Sequence, residues 1–207
     1  MKTKIFLLLF LCPLLLVAQK NDAVQLLERA VRGIEADAAV QMTFDYSVCD
    51  NSGEELFRDN GSLKLDGERY SLLLAPMKLW CDGETQWSYI AANNEIYVTT
   101  ADSDEAQVYN PLHLMGLYKK GYDCSLEKEA GKNKITLLST SAEASFSKVV
   151  ITLDEKNNRP CAMCVYVDGE GFTSIAVTGY KTKCMFDERA YCCPVEDFPG
   201  VEVVDMR

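Results

Sequence analysis

Histidine is nearly missing from this 207-residue chain, with His113 its one copy. A Ser-His-Asp or Cys-His arrangement would have to be built on it. No serine or cysteine stands beside it, and it lies within an apolar segment. Glycines occur singly at turns rather than in a phosphate-cradling loop, which removes the nucleotide-binding motifs. The paired acids, Asp66 with Glu68 and Asp82 with Glu84, fall at hairpin turns, where solvated turn formers are the rule and glycoside chemistry the exception. Basic residues are also scarce, 21 Lys and Arg against 31 Asp and Glu. That deficit argues against nucleic acid or an anionic membrane surface as partner, since both are negative. Together these absences point away from an enzyme and call for no cofactor.

Long apolar runs are absent after residue 17, so no later segment reads as a membrane span. The one run that exists, Ile5 to Val17, follows Lys2 and Lys4 and gives way at Ala18-Gln19 to Lys20-Asn21-Asp22. It is too short to cross a bilayer and has the layout of a secretory signal peptide, residues 1–19, cleaved after Ala18 or Gln19. Leu11 precedes Cys12 where a lipobox needs a small residue, so a discarded leader is read rather than a lipid anchor. The remaining residues, 20–207, suit one domain with a sizeable core. Eight cysteines stay in it: Cys49, Cys81, Cys124, Cys161, Cys164, Cys184, Cys192 and Cys193. A domain of this size does not need staples, and most of the eight lie in apolar runs, so mostly free and buried thiols are expected. Cys161-x-x-Cys164 has half a zinc knuckle's spacing but no second pair at suitable spacing, and no metal site is read.

The patterning of the rest is mainly β. Asn21 or Asp22 can cap an amphipathic helix over Ala23–Ala36, with Val24, Leu27, Ala30, Val31 and Ile34 on one face. The period then changes to two: Met42, Phe44, Tyr46 and Val48, then Leu63 and Leu65, then Tyr70, Leu72 and Leu74, separated by turns at Asp50–Gly53 and Asp66-Gly67. Further hairpins turn at Asp82-Gly83, Asn93-Asn94, Gly131–Asn133, Asn157-Asn158 and Asp168-Gly169, which makes an antiparallel meander. One helix interrupts it, opened by Asn110-Pro111 and closed by Lys119-Lys120-Gly121. Its Leu112, Leu114, Met115, Leu117 and Tyr118 point nearly all round, so it is buried on two sides or covers something apolar. Sheet and helices enclose either an ordinary packed core or a cavity, and the adaptable Met42, Met77, Met115 and Met163 suit the second.

Three stretches resemble the LolA family of lipoprotein carriers. Trp80-Cys81-Asp82-Gly83-Glu84-Thr85-Gln86-Trp87-Ser88-Tyr89 matches a strand, an Asp-Gly hairpin and a strand with Trp and Tyr two apart. Asn110-Pro111-Leu112-His113-Leu114-Met115 falls where the family has its lid helix, and Cys193 to Asp205 is similar to its closing Pro-Gly-Val-x-Val segment. The resemblance implies an α+β, mainly β fold: a curved, incompletely closed antiparallel β-barrel with a helical lid. It implies a monomeric periplasmic chaperone that receives acylated lipoproteins from an inner-membrane ABC lipoprotein exporter and surrenders them to an outer-membrane acceptor. A lipid- or protein-binding sensor module of the same fold is the alternative, while the missing lipobox argues against the family's outer-membrane receptor. Strand parity and the resemblance together place Met42, Phe44, Tyr46, Leu63, Leu65, Tyr70, Leu72, Trp87, Tyr89, Ile151, Met163 and Val165 on an acyl-chain cavity. They place Val24, Leu27, Val31, Leu112, Met115 and Leu117 in its lid. Family members carry a third-strand arginine that points into the cavity mouth and bonds to the lid. The matching place here is near Ser71, with Arg69 two residues earlier.

Overall fold

The computed structural model describes the backbone of residues 12–103 and 111–207, with side chains for 21–103 and 112–207. Asn110, the expected cap, and residues 1–11 of the leader lie outside these residues. The first helix, α1, runs unbroken over Cys12–Ala36, starting well before Ala23. Nothing between Leu14 and Lys20 breaks a helix, so Asn21 and Asp22 become exposed mid-helix residues instead of caps. Its buried stripe is Ala23, Leu26, Leu27, Ala30 and Ile34, with Val24 and Val31 half-buried at the flanks.

Strands follow in a meander: β1 (Val40–Cys49), β2 (Glu55–Asp66), β3 (Arg69–Leu73), β4 (Met77–Cys81), β5 (Thr85–Ile90) and β6 (Glu95–Thr100). Helix α2 (Pro111–Gly116) and a 3₁₀ turn (Leu117–Lys119) lead into β7 (Tyr122–Glu129), β8 (Lys132–Ser139), β9 (Lys148–Asp154), β10 (Pro160–Val167) and β11 (Gly171–Lys181). After two short 3₁₀ turns the chain ends in β12 (Glu202–Asp205). All twelve strands join one sheet in the order β12-β6-β5-β4-β3-β2-β1-β11-β10-β9-β8-β7. Every pairing is antiparallel except that of β12, which lies parallel on β6. β7 and β12 are the two edges, so the sheet does not close into a barrel.

One face of this sheet carries the core. Val40, Met42, Phe44 and Tyr46 of β1 alternate inward, paired in register with Leu65, Leu63, Gly61 and Asp59 of β2. Ile135 and Leu137 of β8 and Val149, Ile151 and Leu153 of β9 continue that face, all fully buried. The helices lie on it. The opposite face is covered over β2–β5 by the segment from residue 182 to residue 201, which crosses the strands as a strap. It starts with bonds from Lys183 N to Asp37 O and from Cys184 N to Ala39 O. Tyr191 then stacks under the Arg69 guanidinium, Phe198 packs on Trp80 and Tyr89, and β12 finishes at the β6 edge.

No disulfide forms among the described residues. Cys49, Cys81 and Cys124 are buried thiols, whereas Cys192 is exposed and Cys161, Cys164, Cys184 and Cys193 are half-buried. Among the described residues no helix is long and apolar enough to cross a membrane.

Candidate functional site

Between the inner face and the helices lies a cavity of about 110 Å³. Met42 and Phe44 of β1, Leu63 and Leu65 of β2, Leu72 of β3 and Met163 of β10 form its floor. Pro160 and Ala162 of β10 and Ile175 and Val177 of β11 complete the sheet side, and Ile34 of α1 with Leu114 and Met115 of α2 form the roof. Five adjacent strands, which laid flat would span about 19 Å, all touch this small space, so the sheet is curled around it. Every lining side chain is apolar. Among the described residues the site offers burial and shape, and no acid, base or nucleophile lines it.

One glycine shapes the cavity's end. Gly61 faces Phe44 across β1 and β2, and a Cβ there would lie 2.5 Å from the Phe44 ring and 2.7 Å from Leu74. The missing side chain is a slot that seats the ring. Beyond it the inner face continues in aromatics: Phe44 meets Tyr46 edge-on at 6.4 Å, and Tyr46 meets Phe57 at 5.8 Å.

At the other end, near the β2–β3 and β4–β5 turns, a polar groove of about 390 Å³ is lined by Glu35, Glu68, Tyr70, Cys81, Asp102, Leu112 and His113 among others. Tyr70 is buried there and bonds through its hydroxyl to Gln86, and burial pushes its pKa above the ordinary tyrosine value.

Six of the twelve residues expected on the cavity line it: Met42, Phe44, Leu63, Leu65, Leu72 and Met163. Tyr46, Ile151 and Val165 face the same side but pack in the core around it, and Tyr70 faces the polar groove. Trp87 and Tyr89 are placed differently. Gln86 and Ser88 pair with the inward-facing Cys81 and Leu79, which turns Trp87 and Tyr89 to the outer face beside Trp80. Strand parity predicts both inward, since apolar strand faces usually meet the helices; here the strap supplies a second apolar cover. Of the expected lid residues, Met115 lines the cavity. Leu27 and Leu117 are buried beside it, Val24 and Val31 flank it, and Leu112 opens onto the polar groove. Ile34 and Leu114, expected on apolar helix faces but not assigned to the cavity, line it, as do Pro160, Ala162, Ile175 and Val177.

Arg69 does not reach the cavity. It and Ser71 share the outer face, because the tight turn at Gly67 pairs Tyr70 with Leu65 and sends both inward. Its guanidinium bonds to Asp66, approaches Glu188 at 3.8 Å and stacks on Tyr191, so it holds the strap. The arginine next to the cavity is Arg159, just before Pro160. It grips Asp37 at the end of α1 at 3.0 and 3.1 Å and lies over the Tyr180 ring at 4.5 Å.

Comparison with known proteins places this arrangement. No curated protein matches the sequence. Among solved structures, an uncharacterized conserved protein from Thermus thermophilus superposes with a TM-score of 0.57 at 13% identity, over 89% of this chain and 99% of the other. A LolA superfamily protein from Nitrosomonas europaea is similar with a TM-score of 0.43 at 11% identity, over 84% of this chain and 98% of the other. MucB in the Pseudomonas aeruginosa MucA/MucB complex gives 0.44 at 14% identity, over 84% and 62%. The first of these likenesses, at 13% identity, concerns the fold alone. The sequence itself matches a family over residues 18–169, most of its length, and by that match the chain belongs to the family described as outer membrane lipoprotein carrier protein LolA.

Proposed function

We propose that this protein is a periplasmic carrier. It takes acylated lipoproteins from an inner-membrane ABC exporter, shields their acyl chains between sheet and α2, and yields them to an outer-membrane acceptor. The observation that carries this reading is the wholly apolar cavity with a six-residue helix as one wall. Each methylene exposed to water costs about 0.8 kcal/mol, so a multiply acylated anchor of some forty methylenes would pay on the order of 30 kcal/mol to cross unshielded. Apolar contacts without hydrogen bonds suit release as well as capture.

The cavity as it stands is smaller than the anchor. An apolar cavity of roughly 150 Å³ admits one benzene, and this one holds about 110 Å³. Loading therefore requires α2 to move off the sheet. Such a helix is too short to be stable alone, and its 3₁₀ extension is held to α1 by a 3.3 Å bond from the Tyr118 hydroxyl to Glu28.

Purification of the mature protein from envelopes, followed by mass spectrometry of what accompanies it, tests the reading. Acylated lipoproteins bound to wild type and lost from Leu63→Asp support the carrier. A single protein partner in fixed ratio, with no acyl chain, overturns it in favour of a sensor module.

A further inference from the structure

Tyr46 is 4% exposed, yet its hydroxyl has no hydrogen-bond partner among the described residues. Two polar groups act on it. The Ala75 backbone amide is near enough to favour the charged phenolate slightly, and an amide N–H can only donate. The nearby Asp59 carboxylate is turned to Asn60, accepting from its backbone N–H at 2.8 Å and its side-chain amide at 3.3 Å. The phenolic proton is thus left without an acceptor inside an apolar wall, an arrangement that is destabilising unless something else supplies one. Burial, and then the charge of Asp59, raise the Tyr46 pKa, so the group is a donor at neutral pH.

Its position says what could accept. Tyr46 stands one inward-facing place beyond Phe44 on β1, about 7 Å further along the strand than the cavity wall. The rings of Phe44, Tyr46 and Phe57 lie in contact one after another from the cavity wall toward the surface, an apolar path for a chain that displaces their packing, and at its outer end Phe57 is 42% and Leu56 64% exposed. A chain lying on that path has its methyl end in the cavity, its first carbons beside Tyr46 and its linkage to the rest of the molecule at the rim.

Resting on the carrier reading, we infer that the Tyr46 hydroxyl donates a hydrogen bond to the acyl carbonyl of the bound chain. The site thereby distinguishes ester- or amide-linked acyl chains from plain hydrocarbon. Phe44 and Phe57 hold the methylenes on either side, and the one polar contact sets how deep the chain sits. A single neutral hydrogen bond contributes little enough to leave binding reversible.

Two fluorescent diacyl lipopeptides test this, one with ester-linked and one with ether-linked chains, titrated by anisotropy against wild type and Tyr46→Phe. Wild type should bind the ester probe more tightly. The Tyr46→Phe variant should lose about five- to tenfold on the ester probe and less than about twofold on the ether probe. Its melting temperature should equal or exceed that of wild type, since an unpaired buried hydroxyl has been removed. Equal losses on both probes with a lowered melting temperature would mark a packing role and overturn the inference. Unchanged binding of both probes would overturn the subsite and leave the carrier standing. Failure of wild type to bind either probe would overturn both.

Discussion

Arg159 holds both carboxylate oxygens of Asp37, 122 residues earlier, at 3.0 and 3.1 Å. Asp37 follows the last residue of α1, and Ala38 beside it has a left-handed φ of 57°. With the strap bonds to Asp37 and Ala39, this ties the end of α1, which supplies Ile34 to the cavity roof, to the sheet. Arg159→Ala should lower stability by about 1–2 kcal/mol, discounted for partial exposure, and the melting temperature by about 2–8 °C. Arg159→Lys should recover only part of the loss, because an ammonium can reach the carboxylate but lacks the planar face that lies over the Tyr180 ring. Arg58, whose ion pair with Glu55 is fully exposed, is the control, and Arg58→Ala should leave the melting temperature unchanged. An equal effect at both positions would contradict this tie.

Gly61→Ala should be costly without any backbone strain, since Gly61 does not have a positive φ. The added methyl meets the Phe44 ring at 2.5 Å, and overpacking of this kind costs about 1–3 kcal/mol. Combining it with Phe44→Leu should restore part of the loss, because the slot and the ring are one feature. Urea titration of the two single variants and the double variant measures this. Simple additivity would show that Phe44 does not occupy the Gly61 slot.

The inner face of the first strands was legible because burial there is a local matter. On β1 and β2 the period-two alternation of Met42, Phe44, Leu63 and Leu65 states which side is covered, whatever covers it. On β5 the same rule selects Trp87 and Tyr89 and points the wrong way, because Tyr89 is covered by Phe198, over a hundred residues later, and Trp87 pairs with Trp80, which Phe198 also covers. Alternation reports that a face is buried, not by what. Arg69 escaped for the same reason: its partner Tyr191 comes from the strap.

Both tryptophans therefore report on the strap. Trp80 is 7% exposed and packs on Phe198 at 5.9 Å, while Trp87 pairs with it across the strands. Phe198→Ala should shift tryptophan emission to the red and destabilise by about 1–3 kcal/mol. Filling the cavity with an acyl chain should leave the emission maximum where it is. A red or blue shift on ligand binding, with Phe198 intact, would mean that cavity and strap move together.

Alkaline pH should release the strap before it opens the core. Tyr191, 1% exposed, has a pKa pushed up to about 12 by burial first and Asp66 second, against relief from Arg69. Cys193 is raised to about 12 as well, by burial and then by Glu196 and Asp197. Each raised value means that the unfolded chain loses its proton first. The stability these groups hold is complete below their unfolded pKa values, about 8.5 for the thiol and 10 for the phenol, and is lost as pH rises through about 12. Tryptophan emission should then change between pH 9 and 12, ahead of the far-ultraviolet circular dichroism of the sheet. Cys193→Ser should remove the lower part of that transition and Tyr191→Phe the upper part. Tyrosinate absorbance that is complete near pH 10, with emission unmoved, would mean that the Tyr191 ring of the strap is not buried against Arg69 and the sheet.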